Sequence, residues 1–332
     1  MKSEILLVIG FVLCVLIAIQ HNPLHVPAQL VAANSPPLAT TTPAVTAIRG
    51  LQQQDSVRIA RNPTTLDVQN QNELIRRAAR SLRDSPPLEA RLRYKINLFG
   101  QQISGPGRYL QKGQGTRLSR LEFEFGFGDS SVQIHQFCDG DLLYTLSLAG
   151  EKSNLEFVDL RELESLQQQS SAASRVTSWL SVGSLTGLME QLSTHFEFNE
   201  IEEQTLDSIP VVQCKGRWNP LALQRLLEGQ PEAEAIVDNE IGWQHLPSHL
   251  PHQVTLTLGT DERFPFFPYR VVFQKLRLVD GALVETPIAL LELFEVRQAP
   301  NLTDEMFSLP SIDTAPTDST NFYRKRIQQF TR

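Results

Sequence analysis

The sequence predicts a mainly β (α+β) fold, an antiparallel sheet of about ten strands with one leading helix and two helical insertions. Runs such as "EARLRYKINLF" and "SRLEFEFGF" alternate apolar and polar residues, as strands with one buried face do. Short segments of turn-forming residues separate most of these runs. Helical periodicity is found in front of and between the groups of strands. A sheet of this size must curl, close or split to manage its edges.

The N-terminus indicates export from the cytoplasm. Lys2 precedes an uninterrupted apolar run from Ile5 to Ile19, which is typical of a signal peptide or a signal anchor. The nearest cleavage-like sequence, "LVAAN" near Ala33, lies far downstream of this run. We therefore interpret residues 1–20 as a signal anchor or signal peptide and favour the uncleaved anchor. The rest of the chain is then periplasmic or otherwise extracytoplasmic, and membrane-tethered.

Composition indicates a linker behind this segment and excludes one class of partner. Residues 21–63 are rich in Pro, Thr, Ala and Gln and carry few large apolar side chains, so they cannot bury enough surface to offset the loss of chain entropy. The net charge of -7 lacks the basic character that phosphate backbones require. Nucleic acid is therefore not expected as a partner.

The folded domain is predicted over residues 64–312, and residues 313–332 form a polar tail. The domain opens with an amphipathic helix that ends at Pro86-Pro87. Its apolar positions have near-helical spacing: Val68, Leu74, Ile75, Ala78 and Leu82.

The first strands place their apolar side chains on one face, where they line a pocket or form a core. The turns between these strands are assigned to Gly100, "SGPG", "GDSS" and "CDGD". The candidate ligand-binding residues on this face are Leu92, Tyr94, Ile96, Leu98, Leu121, Phe123, Phe125, Val132 and Ile134.

The second half of the domain repeats this pattern after a helical interlude. Ser184 is a plausible N-cap for "LTGLMEQLSTH", and Asn219-Pro220 is typical of a helix start. Strands are predicted at "FEFNEIEEQTL", "PVVQCKGRW", "QVTLTLG", "PYRVVFQKL" and "ALLELFEV".

Three residues of "QIHQFCDGDLLYTL" have the types of a thiol active site, but their spacing argues against one. His135 and Cys138 differ by an odd number of positions, so they face opposite sides of a strand, and Asp139-Gly140 is a hairpin signal. Cys138 and Cys214 both share parity with inward-facing neighbours. In an oxidising compartment such a pair is more often a disulfide, so we expect a disulfide between Cys138 and Cys214.

Other chemistry receives little support. His245, His249 and His252 fall in a proline-containing segment where their rings need not converge on a metal ion. Nucleophile-elbow, phosphate-loop and dinucleotide patterns are absent from the sequence. We therefore expect no enzyme, metal or cofactor.

The order of elements resembles the LolA-like (outer-membrane lipoprotein-sorting-like) family of bacterial envelope proteins. The resemblance covers most of residues 65–310. It rests on "ELIRRAARSL" running into "ARLRYKINLFGQQISGPGRYLQ", on the strand pair across "QFCDGDLLYTL", and on the late "VTLTLG", "FPYRVVFQK", "ELFEV" and "DEMFSLP". The chain departs from the carriers of this family in keeping an anchor and a long linker, and no functional residue is carried over.

The resemblance implies an incompletely closed antiparallel barrel, capped by helices, around an apolar cavity. It implies a non-enzymatic envelope protein that binds a lipid or a lipoprotein acyl chain, with an envelope protein as a further candidate partner. The alternative is a structural or sensory protein-interaction module whose barrel is filled by its own side chains.

We predict that the mature protein stays with the membrane fraction and resists carbonate extraction, because Ile5 to Ile19 has no cleavage site close behind it. Fractionation followed by N-terminal sequencing checks this. Recovery of a soluble form that begins near Asn34 would contradict the anchor.

Overall fold

The computed structural model describes residues 68–98, 101–127, 130–168, 184–227, 246, 250–279 and 282–329. The N-terminal segment 1–20 and the linker 21–63 lie outside the described residues. Within these residues, no helix is both long enough and apolar enough to span a membrane.

The described residues form twelve strands, five α-helices and one 3₁₀-helix. In chain order they are α1 (Val68–Asp84), β1 (Leu88–Leu98), β2 (Gln101–Gln111), β3 (Ser119–Phe127), β4 (Ser130–Cys138), β5 (Leu142–Ala149), β6 (Lys152–Asp159), α2 (Leu160–Gln168), α3 (Leu185–His195), β7 (Phe196–Leu206), β8 (Ile209–Trp218), α4 (Pro220–Leu226), β9 (Gln253–Gly259), β10 (Pro268–Val279), β11 (Ala282–Gln298), the 3₁₀-helix (Asp304–Phe307), β12 (Thr317–Asp318) and α5 (Thr320–Gln329).

All twelve strands belong to one curved, open sheet. Its order is β12-β6-β5-β4-β3-β2-β1-β11-β10-β9-β8-β7. Strands β1 to β6 form one antiparallel meander and β7 to β11 form a second, and the pairing of β1 with β11 joins the two. Strand β12 adds a short parallel pair to β6. The predicted fold class, a mainly β curved sheet with helices, is confirmed.

Three of the predicted helix boundaries are also found, and side-chain caps define two of them. Helix α1 ends at Asp84, ahead of the two prolines. The Ser184 hydroxyl accepts a hydrogen bond from the Gly187 amide at 3.0 Å. The Asn219 side-chain oxygen accepts one from the Ala222 amide at 3.0 Å. Each cap satisfies an amide that has no partner inside its helix.

The prediction of a turn at "SGPG" is wrong, since these residues lie in the middle of β2. Gly105 and Gly107 face the interior, where a side chain would collide with its neighbours on β1. A Cβ on Gly105 would lie 2.5 Å from the Tyr94 hydroxyl, and one on Gly107 would lie 2.5 Å from Leu92 Cδ1. The two glycines therefore leave room for the larger side chains on the adjacent strand.

Residues beyond Leu309 cover the outer face and the edge of the first meander. Phe137, Leu146 and Leu155 form a small buried cluster, against which Leu309 and Ile312 pack. Within the predicted polar tail, β12 pairs with Glu156 and Phe157 of β6, and α5 follows it. The C-terminal residues thus cover the outer face of the first meander at β4 to β6.

The expected disulfide is not formed, because Cys138 and Cys214 are both free, buried thiols. Their parity does place both side chains in buried positions. However, Cys138 ends β4 and Cys214 lies in the middle of β8, and six strands separate β4 from β8 in the sheet order. Burial raises the pKa of Cys138 to about 11 and that of Cys214 to about 12. Both thiols therefore stay protonated and unreactive near neutral pH.

We expect Gly105→Ala to destabilise the protein by about 2 kcal/mol, because the added methyl overlaps Tyr94 and the Glu124 carbonyl. Urea denaturation measures this change. Gly126→Ala is the matched control on β3, since its Cβ meets nothing within 4 Å. Equal stability of the two variants would contradict the packing described for β2.

We expect iodoacetamide to modify Cys138 and Cys214 in the unfolded, unreduced protein and to modify neither in the folded protein at neutral pH. Peptide mass spectrometry distinguishes the two conditions. A peptide pair linked through Cys138 and Cys214, or rapid labelling of either thiol in the folded protein, would contradict the structure.

Candidate functional site: the concave apolar face

The candidate site is the concave face of the sheet, where the structure brings together the predicted ligand-binding side chains. Eight of the nine are buried and at most 6% exposed, and the side chain of Leu98 lies outside the described residues. The eight are Leu92, Tyr94, Ile96, Leu121, Phe123, Phe125, Val132 and Ile134. They belong to one continuous apolar cluster that extends across both meanders.

Three aromatic rings form the centre of this face on the first meander. The Tyr94 ring lies 5.2 Å from that of Phe123 in an edge-to-face arrangement and 4.7 Å from that of Phe125. The Tyr94 hydroxyl donates a hydrogen bond of 2.5 Å to the Glu124 carbonyl. Burial raises the pKa of this hydroxyl, so Tyr94 offers the interior an apolar ring and no charge.

Two helices cover the concave face. The apolar side of α1 carries Ile75, Ala78, Ala79 and Leu82, all of them buried in the same cluster. Helix α3 contributes Leu185, Met189 and Leu192 to this cluster. The helices and the sheet therefore meet through apolar surfaces, whose contacts have no fixed direction.

Polar contacts hold these helices at their ends. The Asn72 side-chain oxygen accepts a hydrogen bond from the Phe198 amide at 3.0 Å, and the Ser81 hydroxyl donates to the Pro265 carbonyl at 2.7 Å. At the start of α3, the Leu185 amide donates to the Tyr109 hydroxyl at 3.1 Å. These few directional bonds fix the position of each helix, while the surface between them is apolar.

A cleft of about 570 Å³ opens beside this face, at one rim of the sheet. The β7–β8 turn, the β9–β10 loop and the end of β11 surround it. Its lining includes Phe264, Tyr269 and Leu293, which are also buried members of the apolar cluster. Arg93 and Arg263 lie at the same cleft. The cleft is therefore a place where solvent reaches the edge of the apolar interior.

This cleft has no recognisable pattern in the sequence. Three of its lining residues, Asp207, Ser208 and Glu295, have positive φ angles of 47°, 70° and 51°. Asp207 and Ser208 form the tight connection between β7 and β8, for which positive φ angles are usual. The irregularity at Glu295 depends on its neighbours in the sheet, so no local sequence pattern predicted it.

The thiol site is not assembled, as the strand parity indicated. Cys138 is buried, whereas His135 lies on the other face, where its Nδ1 is 3.7 Å from Glu122 Oε1. Asp139 stabilises the hairpin turn, because its Oδ1 accepts hydrogen bonds from the Asp141 and Leu142 amides at 3.0 and 2.8 Å. The three residues therefore have separate structural roles.

The histidine segment is described in part, since His245 and His249 lie outside the described residues. His252 Nδ1 accepts a hydrogen bond from the Leu276 amide at 2.7 Å. Burial and the nearby Lys275 ammonium lower the pKa of His252 to about 4. In the part of the chain that the structure describes, no three potential ligand side chains are grouped to hold a metal ion.

Comparisons with known proteins find similar structures but no similar sequences. No family model matches the chain, and no curated protein matches it. LprF from Mycobacterium bovis aligns over 73% of this chain and 98% of its own, with 10% identity and a TM-score of 0.34.

Two further solved structures align with similar coverage, sequence identity and TM-score. A LolA superfamily protein from Nitrosomonas europaea aligns over 72% of this chain and 98% of its own, with 10% identity and a TM-score of 0.28. A DUF1329 family protein from Desulfovibrio piger aligns over 73% and 97%, with 10% identity and a TM-score of 0.32. The solved structures to which this chain is similar thus include a member of the LolA superfamily.

Proposed function

We propose that the chain binds an apolar ligand, a lipid or a lipoprotein acyl chain, between the concave face of the sheet and helices α1 and α3. We further propose that it does so in the cell envelope and without catalysis. One observation carries this proposal: an open sheet presents a continuous apolar face, and the helices covering it are held by a few polar contacts at their ends.

The energetics favour an acyl chain. Each methylene moved out of water contributes about 0.8 kcal/mol, so an acyl chain of ordinary length binds usefully even after the cost of association. Aromatic rings such as Phe123 and Phe125 offer large apolar surfaces with little rotamer freedom to lose. An acyl chain needs no directional partner there, which agrees with the apolar character of this face.

The rim cleft supplies a route for entry. Phe264 belongs both to its lining and to the apolar cluster, and Ser81 joins the C-terminal half of α1 to the adjoining residue Pro265. A ligand entering here replaces helix contacts with its own, so separation of α1 from the sheet is the step that opens the interior. Arg93 and Arg263 lie at this rim among Asp207, Asp261, Glu292 and Glu295, so the rim itself does not select an anionic headgroup.

The described packing favours a second candidate, a structural or sensory module with a self-filled interior. Tyr94, Phe123 and Phe125 contact one another and are at most 4% exposed. In this case the outer face or a sheet edge would bind an envelope protein. The two candidates differ in whether the helices separate from the sheet to admit a ligand.

The proposed tether has two parts, residues 1–20 as an anchor in the membrane and residues 21–63 as a linker. A flexible linker of that length has a root-mean-square span of about 35 Å. The domain would then stay close to a lipid surface, from which it could take or deliver a ligand.

We expect a photoactivatable palmitic acid analogue to label the concave face of the purified full chain in detergent. Mass spectrometry of the labelled peptides should place the label on the segments that contain Leu92, Phe123 and Ile134. Phe123→Glu should abolish this labelling, because a carboxylate in the apolar interior excludes the acyl chain.

Phe137→Glu is the matched control, since Phe137 is equally buried but lies in the outer cluster. It should leave labelling of the concave face intact at temperatures where the variant remains folded. Circular dichroism verifies folding, and Phe123→Gln replaces the charged variant if that one unfolds. Labelling confined to the N-terminal segment and the outer surface would contradict ligand binding and favour the self-filled module.

A further inference from the structure

The outer edge of β7 is the exposed end of the sheet. Strand β7 is the last in the sheet order, and from Asn199 to Thr205 its side chains are exposed, except for the half-buried Ile201. Across the described residues, no element pairs with this edge beyond Phe198, whose amide donates to Asn72 Oδ1 at 3.0 Å. The backbone that follows is a template for one more strand.

The edge is strongly acidic, which restricts what can pair with it. Glu200, Glu202 and Glu203 lie within four consecutive positions and are all exposed. Like charges placed opposite each other destabilise strand pairing, so this edge disfavours a second copy of itself. A strand that carries arginine or lysine is the complementary partner.

The chain itself supplies such a strand close by. Asn72 lies in the first turns of α1 and contacts the start of the exposed edge, so α1 begins near the Phe198 end of β7. The last residues of the linker come a few positions before α1 in the sequence. They read "SVRIARNP" from 56 to 63. Val57 and Ile59 alternate with Arg58 and Ala60, and Arg61 follows. Residues 21–63 contain three arginines and no lysine, and two of the three arginines lie in this short run.

We propose that residues 57–61 pair with β7 and extend the sheet by one strand, antiparallel to β7. The direction follows from the connection, because the segment must run toward Phe198 to enter α1. Because side chains alternate between the two faces of a strand, each face of the added segment then lies beside a matching face of β7. Val57, Ile59 and Arg61 share the face of Ile201 and Glu203, while Arg58 shares that of Glu200 and Glu202.

This pairing has two consequences for the protein. It closes the acidic edge to strands of other proteins, and it fixes the point at which the linker leaves the domain. The free linker then ends near Ser56, at the β7 edge of the sheet. The inference is independent of ligand binding, since it involves neither the concave face nor the rim cleft.

Hydrogen exchange on the full chain in detergent tests this pairing. We expect amides of Asn199 to Thr205 to exchange about tenfold more slowly in the wild type than in the double variant Arg58→Glu, Arg61→Glu. Introducing Glu200→Lys and Glu202→Lys into that double variant should slow exchange again. Arg49→Glu is the matched control and should leave exchange unchanged.

Ile59→Pro separates backbone pairing from charge, because proline removes an amide donor without changing the charge. It should accelerate exchange in β7, whereas Leu51→Pro should not, and exchange in β3 and β4 should stay constant in every variant. Equal exchange in the wild type and Ile59→Pro would overturn the proposal. Protection of β7 that disappears on dilution would also overturn it, in favour of a second copy on this edge.

Discussion

The pairing of β1 with β11 is the interaction on which the rest of the structure depends. It joins strands almost two hundred residues apart in sequence and converts two separate meanders into one sheet. On the concave face it places Leu92 opposite Leu293 and Tyr94 opposite Leu291. Without this pairing, β1 of the first meander and β11 of the second would each be an unpaired edge strand.

Charge complementarity sets the same register on the outer face. Arg91 Nε lies 3.2 Å from Glu295 Oε2, and Arg297 Nη2 lies 3.0 Å from Glu89 Oε2. Burial acts to raise the pKa of Glu89, but hydrogen bonds from Arg108 and Arg297 outweigh it and lower the pKa overall. Exposed ion pairs contribute little to stability individually. Their role here is to oppose a one-residue slip, which would turn the apolar side chains of β1 toward solvent.

The sequence predicted most of the sheet because alternation depends on local pattern, whereas the errors concern positions decided by distant neighbours. In the sequence, Gly105 and Gly107 look like turn residues. No local pattern shows that the side chains of Tyr94 and Leu92 occupy the space beside them. Strand parity put Cys138 and Cys214 in buried positions but gave no information on how many strands separate them. The rim cleft was missed for a similar reason, because it forms where two connections and the end of β11, all distant in sequence, meet.

Lipid extraction followed by mass spectrometry tests most directly whether the concave face accommodates an acyl chain. The full chain should be purified into a synthetic detergent, and bound lipid should be measured per protein chain. We expect about one acyl-bearing molecule per wild-type chain after exhaustive detergent exchange, and its loss in folded Phe123→Glu. Equal lipid content in the two proteins, or none in either, would contradict it.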